Sequence, residues 1–285
     1  MKISVVTPTF NGTATLRETI ESVLAQDYSN WEHIIIDGGS TDGTIELLQS
    51  YPHLQWISEK DQGHYHAMNK GIERATGDII AVLNADDCYR GKTLSKVAAA
   101  FETNPTWDAL FGDVIYVDGE GREIFRREEV GYDYNVLRFG DVCYIVHPTL
   151  FVKKSVYERL GAYRYDKFLN CCDVDFILRL GREGCRVGHV PHLLVKYRLH
   201  EHGQSADRRV ALNTKNEYLT IRREHGFPGG AKGRFLQMFA RVKRQIQKLF
   251  YRRKLDFIPG KWLLKKHMRD QTTFSSNIGV DKLGS

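Results

Sequence analysis

Two neighbouring carboxylates, Asp86 and Asp87, follow a short apolar run in the segment ATGDIIAVLNADDCY, residues 75–89. The run from Ile79 to Leu83 is typical of a strand that is covered on both faces. Adjacent acids at the end of a buried strand repel each other and are costly to desolvate unless a cation lies beside them. The segment therefore predicts a cation at this pair of acids.

Polar residues also end the other predicted strands of this region. Thr7-Pro8-Thr9 ends the strand ISVVTPTF, Asp37 ends WEHIIID, and Asp61 ends LQWISEKD. These strands alternate with three predicted helices, at residues 13–26, 44–51 and 62–76. The alternation predicts an α/β fold with a doubly wound, mostly parallel sheet, and such sheets bind ligands beyond the carboxyl ends of their strands.

The acids at three of these strand ends are thus expected to share one crevice: Asp37, Asp61, and the pair Asp86 and Asp87. Asp42 is instead predicted to cap the helix that follows it, with Thr41 as the alternative cap.

The glycine-rich turn DGGSTDG at residues 37–43 is not a known phosphate-cradling loop. It lacks a terminal Gly-Lys-Ser/Thr and does not match G-x-G-x-x-G. A nucleotide bound here would face carboxylates, which repel a diphosphate unless a divalent cation lies between them. We therefore expect Mg²⁺ or Mn²⁺ to bridge Asp86 to a nucleotide diphosphate.

The composition of the 285-residue chain is that of a soluble globular protein, with 42% apolar and 27% charged residues. No apolar run approaches the ~18 residues that span a membrane. The N-terminal MKISVVTPTF becomes polar too early for a signal peptide, which predicts a cytoplasmic protein. The five cysteines form no C-x-x-C pair, so neither a disulfide framework nor a structural zinc site is indicated.

Positive charge is concentrated near the C-terminus. Residues 231–270 hold thirteen Lys and Arg against two Asp, although the net charge of the whole chain is only +6. In this region GRFLQMFARVKRQIQKLFYRRK places apolar side chains on one helical face and cations on the other, a pattern typical of a helix on anionic lipid. The alternative is a helix that packs on the body with a solvated basic face.

Six segments in order resemble the family 2 glycosyltransferases over roughly residues 1–205: VVTPTFNG, IIIDGGSTDGT, SEKDQGHYHAMNKGIERATGD, LNADD, HPTLFVKKSVYERLGAYRYDKFLNCCDVDFILRLGREG and YRLHEHGQS. The resemblance implies the GT-A fold and a nucleotide-activated sugar donor. It looks closest to enzymes that build bacterial surface polysaccharides.

The resemblance also implies the residues that bind the donor. Thr7, Pro8 and Asn11 match the first loop that lines the nucleotide. Asp37 matches the acid that hydrogen-bonds the base, and Asp61 matches a position near the nucleoside.

The Asn84-Ala85-Asp86 segment occupies the place of the family's D-x-D motif, which implies that Asp86 is the metal ligand. Asn84 stands where an acid usually faces the ribose, and an amide can still accept a ribose hydroxyl. His200 matches a position that completes the metal shell, with His202 as the alternative, and imidazole suits Mn²⁺ better than Mg²⁺.

The family's general base is the Asp of a Glu-Asp pair at the start of a helix, which implies Asp173, with Cys172 in the place of Glu. Asp175 is the alternative base. The apolar spacing predicts a helix from about Asp173, whose N-terminus favours an anion, but Asp173 could also be only the cap of that helix. His147 is a candidate for lining the acceptor site.

Together these features predict an inverting, divalent-metal-dependent glycosyltransferase in O-antigen or exopolysaccharide-type synthesis. The donor would be linked to UDP, GDP or dTDP, the acceptor would be a glycan or a polyprenyl-diphosphate-linked sugar, and nucleic acid is not an expected partner. We expect the enzyme on the cytoplasmic face of the inner membrane, held at its anionic surface by the basic tail. The alternatives are a sugar nucleotidyltransferase and a non-catalytic nucleotide-sugar-binding module.

The predicted organisation is a GT-A catalytic domain over 1–225 and a basic helical tail over 226–285. Within the catalytic domain, residues 1–100 would form the nucleotide-sugar half and 101–225 the acceptor half.

Overall fold

The computed structural model describes residues 1–140, 142–199 and 208–252. In this part of the chain nine strands form one sheet. The strands are β1 (Ile3–Thr9), β2 (Trp31–Asp37), β3 (Gln55–Ser58), β4 (Ile79–Val82), β5 (Cys88–Tyr89), β6 (Ala109–Val117), β7 (Glu123–Arg127), β8 (Leu150–Lys153) and β9 (Val187–Arg198).

The sheet has the order β3-β2-β1-β4-β8-β6-β9-β5, and β7 pairs with β6 outside this path. The strands β1, β2, β3, β4, β6 and β9 run in one direction, and β5, β7 and β8 run against them. The predicted α/β fold with a mostly parallel sheet is therefore confirmed. Antiparallel β8 lies between β4 and β6 and joins the two parallel regions.

The described residues contain nine α-helices, of which the last two follow β9: α1 (Leu16–Leu24), α2 (Thr44–Gln49), α3 (His64–Arg74), α4 (Thr93–Thr103), α5 (Tyr134–Phe139), α6 (Lys154–Leu160), α7 (Cys172–Arg182), α8 (Arg208–Glu224) and α9 (Gly230–Arg252). A 3₁₀ helix, His147–Thr149, precedes β8. None of the helices in the described part of the chain is long and apolar enough to cross a membrane.

Apolar side chains cover both faces of the sheet, as a doubly wound fold requires. Neighbouring residues of β1 point to opposite faces: Val6 packs with Met68 and Ile72 of α3, whereas Val5 packs with Val23 of α1 and Val97 of α4. All four residues of β4 are buried. The carboxyl ends of β1, β2 and β4 therefore lie at one edge, where the predicted acids are placed.

The sheet continues across the proposed boundary near residue 100, because β4 pairs with β8 through Ile79, Ile80 and Ala81. The division into a donor half and an acceptor half stays a prediction. The tail predicted from residue 226 is described only as far as residue 252, where α9 packs on the body.

Candidate active site

Hydrogen bonds join the loops that follow β1, β2 and β4. The side chain of Thr15 donates to the carbonyl of Ala85 at 2.8 Å, and the amide of Thr13 donates to Oδ2 of Asp42 at 3.1 Å. Asp42 also accepts from the backbone N–H of Thr44 at 3.1 Å. The N-cap position of α2 is nevertheless Gly43, with no side-chain cap hydrogen bond, so the prediction that Asp42 or Thr41 caps this helix is wrong. The three loops thus form one surface at the carboxyl edge of the sheet.

Asn11 is exposed and has a φ of +50°, a conformation that Asn adopts more readily than most residues. Its Oδ1 accepts a hydrogen bond from the backbone of Thr41 at 2.9 Å. Thr7 and Pro8 are enclosed within β1, and the Thr7 hydroxyl lies 3.0 Å from Nε2 of His33. Their predicted contact with a nucleotide stays a prediction.

Asp37 is fully buried and organises the loop after β2. Its Oδ2 accepts hydrogen bonds from the backbone N–H groups of Gly39 and Ser40, at 3.0 and 2.9 Å, and from the Ser58 hydroxyl at 2.6 Å. This carboxylate therefore fixes the loop, and its predicted hydrogen bond to a base is not tested by the structure.

Asp61 lies against the same loop, because a Cβ on Gly38 would come within 2.8 Å of its Oδ2. The same Cβ would come within 3.3 Å of the Phe10 ring, whose side chain is 63% exposed. The sheet edge therefore brings Asp37 and Asp61 together beside an exposed aromatic ring. We did not predict Phe10 as a site residue, although an aromatic residue directly after a buried strand is a usable signal.

The two acids after β4 have different environments. Asp87 is 1% exposed, and its carboxylate accepts from the Asn84 amide at 3.0 Å and from the backbone N–H of Arg198 at 3.0 Å. Burial raises the pKa of Asp87 well above its usual value, and the adjacent charge of Asp86 raises it further. Asp86 is only half-buried. The expectation that both acids face the crevice is thus wrong for Asp87, which is a core residue.

Arg198, at the end of β9, supplies a fixed positive charge beside this pair. It is 6% exposed, and its Nε donates to the backbone carbonyl of Asp86 at 3.1 Å. The guanidinium of Arg198 also pairs with Glu18, and its charge opposes the rise in the pKa of Asp87. The predicted metal at Asp86 is a separate question.

A divalent metal is compatible with the side chains at this edge. Mg²⁺ in phosphate-binding sites takes one or two protein carboxylates and completes its shell with substrate phosphates and water. Asp86 alone can supply the one carboxylate that such a site needs. In the described residues no group of three or more His, Cys, Asp and Glu side chains surrounds a metal position. His200 and its alternative His202 lie outside the described residues, so their predicted role as ligands stays a prediction.

Asp173 lies in the first turn of α7 and is half-buried. The helix begins at Cys172 with Cys171 at its N-cap position, so Asp173 is not the helix cap. The hydroxyl of Tyr65, at the start of α3, donates to Oδ1 of Asp173 at 2.8 Å. The candidate base is thus held at a helix N-terminus by a residue from the donor half of the chain.

His64, the first residue of α3, lies close enough to both Asp173 and Asp61 for their charges to act on it. Burial lowers the pKa of His64 to about 4, against the opposing charges of Asp173 and Asp61. Burial likewise lowers the pKa of His147, whose Nε2 lies 2.6 Å from the Tyr163 hydroxyl. The site therefore presents neutral imidazoles beside the candidate base at neutral pH. The sequence alone assigned no role to His64.

Asp175, the alternative base, is fully buried in an ion-pair cluster. Nε of Arg164 and Nε of Arg179 lie 2.9 and 3.0 Å from its Oδ2. Burial opposes its ionisation, but His225 together with Arg164 and Arg179 holds the pKa of Asp175 well below its usual value. The carboxylate thus stabilises the packing of α7 and does not face the crevice.

Comparisons with known proteins give a consistent family and fold. A sequence profile described as Glycosyl transferase family 2 matches residues 4–161, more than half of the chain. The PGL/p-HBAD biosynthesis glycosyltransferase of Mycobacterium tuberculosis is 30% identical over 199 residues, which cover 67% of this chain and 74% of the relative. The glycosyltransferase EpsE of Bacillus subtilis is 30% identical over 204 residues, 69% of this chain and 73% of the relative.

Solved structures share the fold at lower identity. S. aureus TarS in complex with UDP has a TM-score of 0.59 at 19% identity, covering 79% of this chain and 70% of that chain. The mannosyltransferase PcManGT from Pyrobaculum calidifontis, in complex with GDP-Man and Mn²⁺, has a TM-score of 0.59 at 17% identity, covering 99% and 76%. The likeness confirms the GT-A fold that the sequence motifs implied.

Proposed function

The chain belongs to glycosyltransferase family 2, and on that premise we propose that it transfers a sugar from a nucleotide-sugar donor to an acceptor hydroxyl, with Asp173 as the general base. The placement of Asp173 carries this assignment. Its carboxylate is half-exposed in the first turn of α7 and is hydrogen-bonded by Tyr65. Asp175, two residues further, is enclosed by arginines.

The donor side of the site is the surface formed by the loops after β1, β2, β3 and β4. The structures of similar fold were solved with UDP, UDP-GlcNAc or GDP-Man. We infer a donor linked to UDP, GDP or dTDP. The exposed ring of Phe10 and the carboxylates of Asp37 and Asp61 would lie beside the base of this nucleotide. The Asn84 amide, which bonds Asp87, would face the ribose with its oxygen.

A divalent metal, Mn²⁺ or Mg²⁺, would be held by Asp86 and His200. When bound it would neutralise the negative charge that develops on the departing diphosphate. The support is the half-buried carboxylate of Asp86 at the edge of the sheet.

The proposed reaction is one displacement. Asp173 takes the proton of the acceptor hydroxyl, and the acceptor oxygen forms a bond to the anomeric carbon as the bond from that carbon to the diphosphate oxygen breaks. The nucleoside diphosphate leaves from the opposite face, so the anomeric configuration inverts. Tyr65 keeps the carboxylate of Asp173 oriented during the proton transfer by donating to its Oδ1.

For the acceptor we propose a glycan or a polyprenyl-diphosphate-linked sugar in polysaccharide synthesis at the cytoplasmic face of a membrane. Two observations support this. One relative is named for the biosynthesis of PGL/p-HBAD, and the basic C-terminal segment from residue 230 suits an anionic surface.

The test is donor cleavage by purified full-length protein with Mn²⁺ and UDP-GlcNAc or GDP-mannose. Asp173→Asn should lower the release of nucleoside diphosphate by about 10²–10⁴-fold, because it removes the base and keeps the shape of the side chain. Nucleotide binding measured by calorimetry should be unchanged.

Asp166→Asn is the matched control, since Asp166 is an exposed acid on the segment before α7. This variant should cleave the donor like wild type. Full activity of Asp173→Asn would exclude Asp173 as the base. A wild-type protein that binds nucleotide and never cleaves a donor would be a non-catalytic binding module.

A further inference from the structure

Helix α9 presents a continuous apolar row to solvent. Seven of its large apolar side chains are 46–78% exposed: Phe235, Met238, Phe239, Val242, Ile246, Leu249 and Phe250. They recur at the three- and four-residue spacing that places side chains on one helical face. We call these seven residues the apolar face of α9.

The opposite face of α9 is polar and packs on the body. Nη2 of Arg244 lies 2.6 and 2.7 Å from the two carboxylate oxygens of Glu129, which is 2% exposed, and Lys248 lies 3.5 Å from the same carboxylate. Lys243 and Gln247 both contact Oδ2 of Asp133, at 2.6 and 3.0 Å. Buried acids thus hold the apolar face outward.

The packing of α9 on the body agrees with one alternative drawn from the sequence, but the solvent-exposed side of the helix is not only basic. Arg244 and Lys248 point at the protein, whereas the apolar face of α9 and the cations Lys232, Arg234 and Arg241 are exposed. The reason is the pair of acids that precede α5, Glu129 and Asp133, which attract the cations of α9. The buried carboxylate of Glu129 also pairs with Arg127 of the body at 2.7 Å, so α9 adds to an ion pair that the body already forms.

The charge of α9 indicates what covers the apolar face. The helix contains seven Lys and Arg and no acid. Among them Lys232 and Arg234 are exposed at the borders of the apolar face. A second copy of the chain on this face would bring like charges together, whereas an anionic lipid surface would attract them and accept the apolar side chains.

We propose that the apolar face of α9 docks into the interfacial layer of an anionic membrane, while Arg244 and Lys248 fasten the helix to the catalytic body. The proposal rests on the proposed function for its purpose, which is to present a lipid-carried acceptor to the site. It combines the helix on anionic lipid that the sequence predicted with the attachment to the body that the structure shows.

The segment to which α9 is attached also contacts α7, the helix that carries the candidate base. The segment 129–133 that receives the cations of α9 includes Tyr132, whose hydroxyl donates to the carbonyl of Ile177 in α7 at 2.8 Å. Asp173 lies in the first turn of that same helix. A membrane bound at α9 is therefore mechanically linked to the acceptor side of the site.

The experiment is co-sedimentation of the full chain with vesicles of phosphatidylcholine, with or without phosphatidylglycerol. The variant carries Phe239→Ser and Ile246→Ser, two exposed residues whose replacement leaves the packing of the body intact. We expect at least about tenfold weaker binding to the anionic vesicles, because each side chain loses an apolar contact with lipid. Leu24→Ser, at an exposed apolar residue of α1, is the matched control and should bind like wild type.

Nucleotide binding in vesicle-free buffer, measured in parallel, separates this proposal from the proposed function. Equal nucleotide affinity of wild type and the double variant, together with the loss of vesicle binding, is the expected result. Failure of wild type to bind any nucleotide would remove the proposed function and leave the lipid result standing. The membrane proposal would be overturned if wild type did not bind anionic vesicles. It would also be overturned if light scattering showed that wild type is a dimer and the double variant a monomer.

Discussion

Tyr65 connects the two sides of the candidate site, because it belongs to α3 and its hydroxyl donates to Asp173 in α7. Burial raises the pKa of Tyr65 well above its usual value, and the charge of Asp173 raises it further. The phenol therefore stays protonated at any physiological pH and remains a donor. We interpret Tyr65 as a residue that positions the base.

Tyr65→Phe should lower kcat by about tenfold to a hundredfold, since a hydrogen bond to a charged group is worth about 1.5–3 kcal/mol. The KM for the donor should not change, because Tyr65 contacts the candidate base. Steady-state kinetics measure both values. Tyr157→Phe is the control: it removes the hydroxyl of another buried tyrosine, which lies 3.4 Å from the Tyr163 hydroxyl. An equal fall in kcat for both variants would argue for a packing effect.

The sequence identified the acids of the site but not their individual environments. The apolar pattern of β4 treats Asp86 and Asp87 alike, and the structure separates them because Asp87 is buried and bonded by the backbone N–H of Arg198, more than a hundred residues later. His64 is a similar case, since its surroundings include Asp173 from a distant helix. Contacts between residues far apart in the sequence leave no local pattern of residue types. The carboxyl end of a buried strand does leave one, an apolar run followed by polar residues.

At the scale of elements, α3 sets the position of Tyr65 through its close approach to the sheet. A Cβ on Gly71 would lie 2.2 Å from Cγ1 of Val6 in β1 and 3.3 Å from Cγ1 of Ile36 in β2. Only a glycine lets the helix approach both strands this closely.

Gly71→Ala should therefore lower the free energy of unfolding by about 1–2 kcal/mol. The added methyl group overpacks the interface between α3 and the sheet at a cost of about 2–3 kcal/mol, and the better helix propensity of Ala returns about 1 kcal/mol. Urea unfolding measures the change. Gly91→Ala, where a Cβ meets no atom within 4 Å, should change the stability by less than about 0.5 kcal/mol. A stability of Gly71→Ala equal to wild type would contradict the close packing.

The alternation of strands and helices in the first hundred residues was predictable, since each element has its own apolar period and turn signals. The short strand β5 was missed, because its two residues are defined by pairing with β9 through Lys196 and Val195. The orientation of α9 was equally inaccessible. An amphipathic pattern fixes which residues share a face, and the acids Glu129 and Asp133 decide which face meets the protein.

At the scale of the whole molecule, one sheet carries both sides of the site. The donor loops follow β1, β2, β3 and β4, and β4 pairs directly with β8, which follows the 3₁₀ helix containing His147. The residues proposed to bind donor and acceptor are thus held by one sheet, as a direct displacement between two substrates requires. In the membrane proposal, the outward apolar face of α9 would be the side of this arrangement that meets lipid.

The most direct measurement is calorimetric titration of UDP and GDP into the full-length protein with Mn²⁺, with and without EDTA, for wild type, Asp86→Ala and Asp173→Asn. Wild type and Asp173→Asn should bind one of the nucleotides equally well with Mn²⁺. EDTA and Asp86→Ala should each weaken the binding at least about tenfold, because the diphosphate would then lack a bridging cation to the protein. Nucleotide binding that neither EDTA nor Asp86→Ala changes would contradict a metal-assisted transfer at the edge of this sheet.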